Sequence, residues 1–284
     1  MNDSPADALT SRQLDDVERV IDILRGTTVA FATGAGVSTD SGIPDYRGEG
    51  SLPRTPMSIS QFLDDELFRK RYWAGSQLGW GRFSSVKPNS AHFAIAELER
   101  VGLANGVITQ NVDGLHRAAG SRSVVELHGT MSRVRCTVCG RTFSRTAISQ
   151  RLDDDNPWLA SADAGDLGPD GDVQIEGVER LTVPPCEVCG GVLRPDIVYF
   201  GEFIPRDTFA EAERIIDGAG VLVVAGSSLA VNSGVRLLER ARRGDRPIVI
   251  INRGVTKGDS RAAVKIDAGV GPVLAVLAER LVNP

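Results

Sequence analysis

The apolar positions of this chain recur in two rhythms. Leu14, Val17, Val20, Ile21 and Leu24 are spaced by three and four, which places them on one helix face. The spacing predicts an amphipathic helix from Thr10, with Thr10 and Gln13 as a capping box and Gly26 as the stop. Val29–Thr33 reads as a strand. A second helix is predicted from Asn89 or Ser90 to Arg100, ending before Gly102. Further strands are predicted at residues 106–109, 124–127, 221–225 and 248–251. Helical patterns separate them at 209–216 and 235–242, and a last one covers 273–282. Strands rich in Val and Ile that alternate with amphipathic helices imply an α/β fold, with a mostly parallel sheet covered on both faces. Its connections are expected to be right-handed.

In a doubly wound sheet of this kind, ligands bind beyond the carboxyl ends of the strands, at a topological switch point. The loops to examine are therefore GAGVSTDSG, QNVDG, HGT, GSS and NRG. The first begins like a dinucleotide-binding turn. Gly34 and Gly36 fit the opening of G-x-G-x-x-G, but position 39 is Thr and the next glycine is Gly42. The acidic residue that closes the Rossmann fingerprint about 20 positions later is also missing. A tight structural turn is one reading. The other is a phosphate cradle, in which glycines let backbone N–H groups approach an anion and Ser38 and Thr39 add hydroxyls. The long polar loop from Asp40 to Arg47 is placed to close over the reactive end of a dinucleotide. That suggests chemistry on the cofactor itself and not hydride transfer.

Residues 136–190 interrupt the pattern and hold all four cysteines. Their middle, LDDDNPWLASADAGDLGPDGDVQIEG, is acidic and Gly-rich with little helical periodicity, so a long surface loop is expected. The chain is thus read as a Rossmann-like domain over 12–134 and 193–284, with a small module inserted over 135–192. The knuckles CTVCG (Cys136, Cys139) and CEVCG (Cys186, Cys189) have the spacing of a four-sulfur zinc site. Two disulfides and a redox pair are the alternatives. A reducing compartment disfavours the first and the duplicated knuckle the second. Four sulfur ligands leave no open position, so the zinc is expected to be structural, holding a module too small for a core of its own.

Composition removes several other classes. A chain of 284 residues, 42% hydrophobic and 24% charged, supports one large domain or a domain with a small module. The net charge of −5 argues against a nucleic-acid or anionic-membrane binder, and the acidic loop against a zinc-ribbon reader of phosphates. No apolar run approaches the roughly 18 residues of a membrane span. The first residues, MNDSPADALTSRQLDD, resemble neither a secretory core nor an Arg-rich transit segment, so a cytoplasmic protein is expected. Three histidines are available for acid–base work, His92, His116 and His128. The first two read as packed structural residues.

GAGVSTDSGIPDYRG, TQNVDGLH, ELHGT, the paired knuckles, RPDIVYFGE, GSSLAV and NRG occur together and in this order. Over roughly residues 15–282 the chain resembles the sirtuins, NAD-dependent protein lysine deacylases. RYWAGSQLGWGRFS and LGPDGDV resemble the class II branch. The resemblance implies that NAD binds between the Rossmann-like domain and the zinc module, and that an acyl-lysine enters from the other side. The acyl oxygen attacks the ribose anomeric carbon, nicotinamide leaves, and a histidine deprotonates a ribose hydroxyl. Free lysine and O-acyl-ADP-ribose result.

The resemblance makes His128 the general base and Asn111 a second catalytic residue, with Gln110 and Asn111 beside the nicotinamide ribose. Gly34, Ala35, Gly36 and Ser38 cradle phosphate. Asp45, Tyr46 and Arg47 form the cofactor loop, with Tyr46 where most members have Phe. Ile43 and Asp113 line the nicotinamide pocket, although Asp113 also suits a helix cap. Gly226, Ser227 and Ser228 meet phosphate and ribose. Asn252, Arg253 and Gly254 meet the adenosine ribose, and Val270 lies near adenine where many relatives carry Cys. RPDIVYFGE pairs with the substrate peptide as an added strand, Val198 against the lysine stem and Phe200, Gly201 and Glu202 beyond it. A core strand residue is the other reading of Val198. Relatives that remove succinyl or malonyl groups carry Tyr-x-x-Arg. Here the segment reads Tyr72-Trp73-Ala74-Gly75, so poor desuccinylation is expected unless Arg69 or Arg71 substitutes. The expected partners are acylated-lysine proteins, without nucleic acid or membrane, and a monomer is favoured. Protein mono-ADP-ribosylation at the same NAD site is the alternative activity, and a non-catalytic NAD sensor a third reading.

Overall fold

The computed structural model describes residues 5–46, 57–162 and 175–283. Helix α1 (Ser11–Leu24) opens the fold, its N-terminus closed by the reciprocal Thr10–Gln13 box. Strand β1 (Val29–Thr33) follows, then α2 (Ile59–Asp64), α3 (Glu66–Ser85), α4 (Ser90–Arg100), β2 (Ala104–Thr109), α5 (Leu115–Ala118) and β3 (Val124–Glu126). Next come β4 (Gly129–Cys136), β5 (Thr142–Ser144), α6 (Arg145–Asp155) and β6 (Leu193–Ile197). The chain ends with α7 (Arg206–Asp217), β7 (Val221–Ala225), α8 (Asn232–Arg243), β8 (Ile248–Ile251), β9 (Val264–Ile266) and α9 (Val270–Val282).

Six strands form one parallel sheet in the order β3-β2-β1-β7-β8-β9. Each face has its own core. Phe31, Val107 and Val223 meet α1, α4 and α9 through Val17, Ile95 and Leu274. Ala30, Ile108 and Leu222 meet α7 and α8 through Ile216 and Leu238. A strand buried on both sides has no polar face, which is why β1, β7 and β8 read as unbroken apolar runs. The strand order turns around between β1 and β7, where Thr33 lies level with Thr109 on one side and Ala225 on the other.

The second sheet is antiparallel, β5-β4-β6. Its core is shared. Val134, Ile148, Leu152 and Leu193 pack with Phe62, Trp73 and Tyr199, so α2 and α3 supply apolar surface that the small module lacks. Arg145 of α6 is fully buried at 0% exposure. Its guanidinium lies over the rings of Trp73 and Trp80, 5.3 and 5.0 Å from their centroids. It donates to Gln77 Oε1 at 3.0 Å and to the Ser76 carbonyl at 3.2 Å. A long cation buried this way fixes the module on α3 by packing as well as charge.

The structure differs from the sequence expectations at several elements. The acidic stretch begins as helix: α6 runs to Asp155, capped by Ser144, and a 3-10 turn covers Pro157–Ser161. Ile148, Leu152 and Leu159 are its buried points, and the acidic residues around them hide their spacing. Strands β4, β5, β6 and β9 were not expected. They are short, or only half-buried, and carry little apolar run.

His92 and His116 are buried with ring centroids 4.8 Å apart. His92 serves as the N3 partner of the Asn89 cap, and His116 Nε2 lies 2.9 Å from Thr33 Oγ1. Burial lowers the pKa of His92 to about 4; burial and the neighbouring His92 lower that of His116 to about 3. The unfolded chain therefore takes up protons from about pH 6.5 downward while the folded chain does not, and stability falls with pH across that window. Urea unfolding is expected to show a midpoint that declines as pH drops from 6.5 towards 4. His92→Gln keeps the capping box and should flatten that decline; an unchanged slope would refute the assignment.

Candidate active site

At the switch point two turns lie in contact. Gly34 donates its amide to the Ala225 carbonyl at 3.2 Å and Gly36 to the Gly226 carbonyl at 2.9 Å. A Cβ on Gly34 would sit 2.8 Å from Gly226 O, and one on Gly36 3.0 Å from Gly226 Cα. Gly226 itself has φ 63. The glycines thus serve turn-on-turn packing, and their amides face the β7 turn. The expected approach of backbone N–H groups to an anion is not made by these two amides, which donate to carbonyls. Ala35 at the tip of the turn lines a pocket with Ser38, Ile43, Tyr46, Gln110, Asn111, Val112 and Asp113.

The pocket's polar groups bind one another. Ser38 Oγ donates to Asp113 Oδ2 at 2.7 Å, and Asn111 Nδ2 donates to Ser38 Oγ and the Gly34 carbonyl, each at 3.1 Å. The other Asp113 oxygen accepts from the amide of Leu115, the first residue of α5, at 2.9 Å, and the carboxylate lines the pocket. Burial raises the Asp113 pKa against the pull of these hydrogen bonds. Ile43 forms a buried apolar wall, and Tyr46, 37% exposed, stands at the mouth with Asp45 next in sequence. Arg47 and the segment LGPDGDV lie outside the described residues.

His128 occupies the bend between β3 and β4. Its Nε2 is 3.1 Å from Ser233 Oγ, in the first turn of α8. Burial lowers its pKa, while a backbone hydrogen bond with Gln110 acts to raise it. Its carbonyl accepts from the Val198 amide at 2.8 Å, which ties His128 to the segment that follows β6. Val198 is half-buried, and Phe200 is exposed with its carbonyl accepting from Ile59. Gly201 takes φ 87 in the turn that follows. Glu202 accepts from the Tyr199 amide at 2.9 Å and pairs with Arg194 at 2.6 Å. Glu202 therefore holds this turn in shape.

Across the sheet, Ser227 Oγ donates to Gln110 Oε1 at 2.9 Å. The carbonyl of Ser228 accepts from the Lys257 amide. Asn252 Nδ2 donates to the Arg253 carbonyl at 2.6 Å, and the Gly254 amide to Asp267. The Arg253 guanidinium lies against Gly269, just before Val270 opens α9. The Val270 side chain is buried at 6% exposure. The strand ends thus bring one group around Asp113 and His128 and another at the ends of β8 and β9. Ser233 was missed by the sequence reading. It belongs to no motif, and only the fold brings it to His128.

The four cysteine sulfurs lie within 4.8 Å of one another. Cys136 and Cys189 are 3.5 Å apart, Cys139 and Cys186 3.8 Å. Sulfurs about 2.3 Å from a tetrahedral zinc are roughly 3.8 Å apart, so the donor set fits that ion. The two knuckles have the same local design: the Gly140 amide binds the Cys136 carbonyl and the Gly190 amide the Cys186 carbonyl.

The sequence profile of the Sir2 family matches residues 34–233. "NAD-dependent protein deacetylase 1" of Mycobacterium avium is 48% identical over 266 residues, 92% of this chain and 94% of that protein. "NAD-dependent protein lipoamidase sirtuin-4, mitochondrial" of Bos taurus is 42% identical over 284 residues, 97% of this chain and 89% of that protein. A solved structure described as "Sir2-p53 peptide-NAD+" superposes with a TM-score of 0.76 at 31% identity, covering 94% of this chain and 99% of that one.

Replacing one knuckle thiol should release the metal and loosen the module without melting the parallel sheet. Cys139→Ser is expected to lower bound zinc well below one per chain by elemental analysis. Hydrogen exchange should accelerate in β4–β6 and stay slow in β1 and β7. Equal protection in both sheets after metal loss would refute this.

Proposed function

The chain belongs to the Sir2 family, and on that premise we propose how its own residues perform the family's chemistry. The protein is an NAD-dependent protein deacylase acting on acylated-lysine proteins, with a four-cysteine site that fits one structural zinc. Relatives named deacetylases and a lipoamidase do not favour ADP-ribosyl transfer as the main activity. The net charge of −5 supports proteins and not nucleic acids as partners. Among the described residues, no helix is long and apolar enough to cross a membrane.

The observation that carries the residue assignment is the placement of His128. Burial keeps its imidazole neutral at pH 7, so a lone pair is available to take the proton of a ribose hydroxyl. Through its carbonyl it is bonded to Val198, on the strand proposed to meet the peptide. Strand β6 is an edge of the small sheet, where an extended peptide can add by main-chain hydrogen bonds. Asn111 and Ser38 orient Asp113 towards the carboxamide of nicotinamide, Ile43 supplies an apolar wall, and Tyr46 covers the mouth. Ser227 and Gln110 stand at the phosphate and ribose side, with Asn252 and the Val270 backbone beyond. Zinc supplies no chemistry to the reaction; Cys136, Cys139, Cys186 and Cys189 would hold it to shape one wall of the cleft.

His128→Ala is expected to reduce deacylation by roughly 10²–10⁴-fold, with NAD binding retained. Because burial lowers the His128 pKa, the acid limb of kcat/KM should lie below about pH 6.5. Steady-state rates across roughly pH 5 to 8 check this, and a limb above the ordinary imidazole value would refute it.

On α3, Gly75 stands where Tyr-x-x-Arg would place its arginine. Arg69 donates to the carbonyls of Phe62 and Leu63, at 3.0 and 2.7 Å, and Arg71 lies over the Phe68 ring. Arg69 is engaged by these carbonyls, Arg71 stands at the surface beside Phe68, and Gly75 offers no side chain to an acyl carboxylate near Tyr72. An unpaired buried carboxylate costs several kcal/mol. The expected kcat/KM on succinyl-lysine peptide is roughly a hundredfold or more below that on acetyl-lysine; comparable values would refute it.

A further inference from the structure

A run of hydrogen bonds passes through the switch point in one direction. It starts at the Leu229 amide, a group that only donates, which gives to Ser227 Oγ at 3.3 Å. Leu229 has φ 55, a left-handed conformation rare for leucine. Ser227, having accepted, gives its own hydrogen to Gln110 Oε1 at 2.9 Å. The opposite end of that amide donates to Ser233 Oγ at 3.2 Å. Ser233 then has one hydrogen left, and His128 Nε2 lies 3.1 Å away. A hydroxyl can donate to Nε2 only if that nitrogen carries no proton. Donation continues the direction of the chain and puts the ring proton on Nδ1; acceptance by the second lone pair of Ser233 would put it on Nε2. The backbone hydrogen bond with Gln110 agrees with donation, since it favours the protonated ring, as a carbonyl accepting a ring N–H does.

The seat of Ser233 is built for this contact. Its neighbour Gly234 would carry a Cβ 3.0 Å from Leu229 Cδ2 and 3.3 Å from Gln110 Nε2. A side chain there would press on the ends of Leu229 and Gln110, so the glycine eases the approach of the first turn of α8 to Gln110.

We propose that Ser233 is a positioning residue which, through the chain Leu229–Ser227–Gln110–Ser233, holds His128 as its Nδ1–H tautomer and presents Nε2 as the base nitrogen. The inference rests on His128 being the general base. The ribose hydroxyl that loses its proton must displace the Ser233 hydroxyl from Nε2. The O–H bond breaks, the Nε2–H bond forms, and Ser233 can then turn a lone pair to the new N–H. Ser227 and Gln110, which stand at the phosphate and ribose side, belong to the same chain, so the cofactor site and the base share one hydrogen-bond polarity.

The test uses the full chain with ¹⁵N-labelled histidine. Only three rings contribute, and His128→Ala identifies the signals of His128. The wild-type protein is expected to show bare Nε2 and protonated Nδ1 at His128 near neutral pH. Ser233→Ala should give a mixed or reversed tautomer and lower kcat by about 10–100-fold, the usual effect of losing an orienting partner. KM for NAD should stay within about twofold, and the acid limb should move to higher pH because the bond that favours the neutral ring is gone. Ser233→Thr keeps the hydroxyl and should restore tautomer and rate. An Nε2–H tautomer in the wild type, or an unaltered tautomer in Ser233→Ala, overturns the proposal. The tautomer is read without turnover. If His128→Ala kept full activity, the base assignment would fall while the tautomer result stood.

Discussion

Gly34 and Gly36 meet Gly226 at a distance that leaves no space for side-chain atoms, with added Cβ positions 2.8 to 3.0 Å from its backbone. The sheet order turns around at that contact, so β1 and β7 send their chains apart on either side of a crevice. Everything proposed for catalysis is measured from it. Asn111 Nδ2 binds the Gly34 carbonyl, Ser227 follows Gly226 directly, and Gln110 Oε1 is held by Ser227. A methyl group at any of the three glycines would push the two turns apart and break this register before it touched a ligand.

Desolvation then sets the charge state of the groups that line the crevice. It acts on Asp113 and His128 in opposite directions on the pKa scale and in the same direction chemically, towards the uncharged form. Each is partly opposed by specific partners: Ser38, Asn111 and the Leu115 amide for the carboxyl, Gln110 for the imidazole. The site therefore needs both the depth of the crevice and an ordered set of donors. His92 and His116 are more deeply buried and lack that order. His92 Nε2 and His116 Nδ1 have no partner, and both rings read as structural.

The small sheet follows a different logic. Its two knuckles stand outward, with Val138 and Val188 exposed at their tips, and its apolar interior is completed by α2 and α3. A metal fits at the margin of that interior, between the buried Cys136 and Cys186 and the exposed Cys139 and Cys189, and Arg145 with the aromatic cluster fastens the module to α3.

Much of this was legible in the residues. The bounds of β1, β7 and β8 follow from strands buried on both faces, α1 from its capping box and apolar stripe, and the cysteine site from ligand spacing. Such features are local: a period of 2 or 3.6, a cap three residues away, a thiol three residues on. Strand β4, with its solvent-facing Arg133 and Arg135, and α6, whose few apolar points lie among acidic residues, carry weaker periods and were lost. The role of the glycine amides and the place of Ser233 were beyond the sequence altogether. Ser233 meets His128 across 105 positions of chain. No neighbouring residue encodes that distance; it is decided by how α8 packs on the sheet, and the direction of the hydrogen bonds between them exists only once that packing is made.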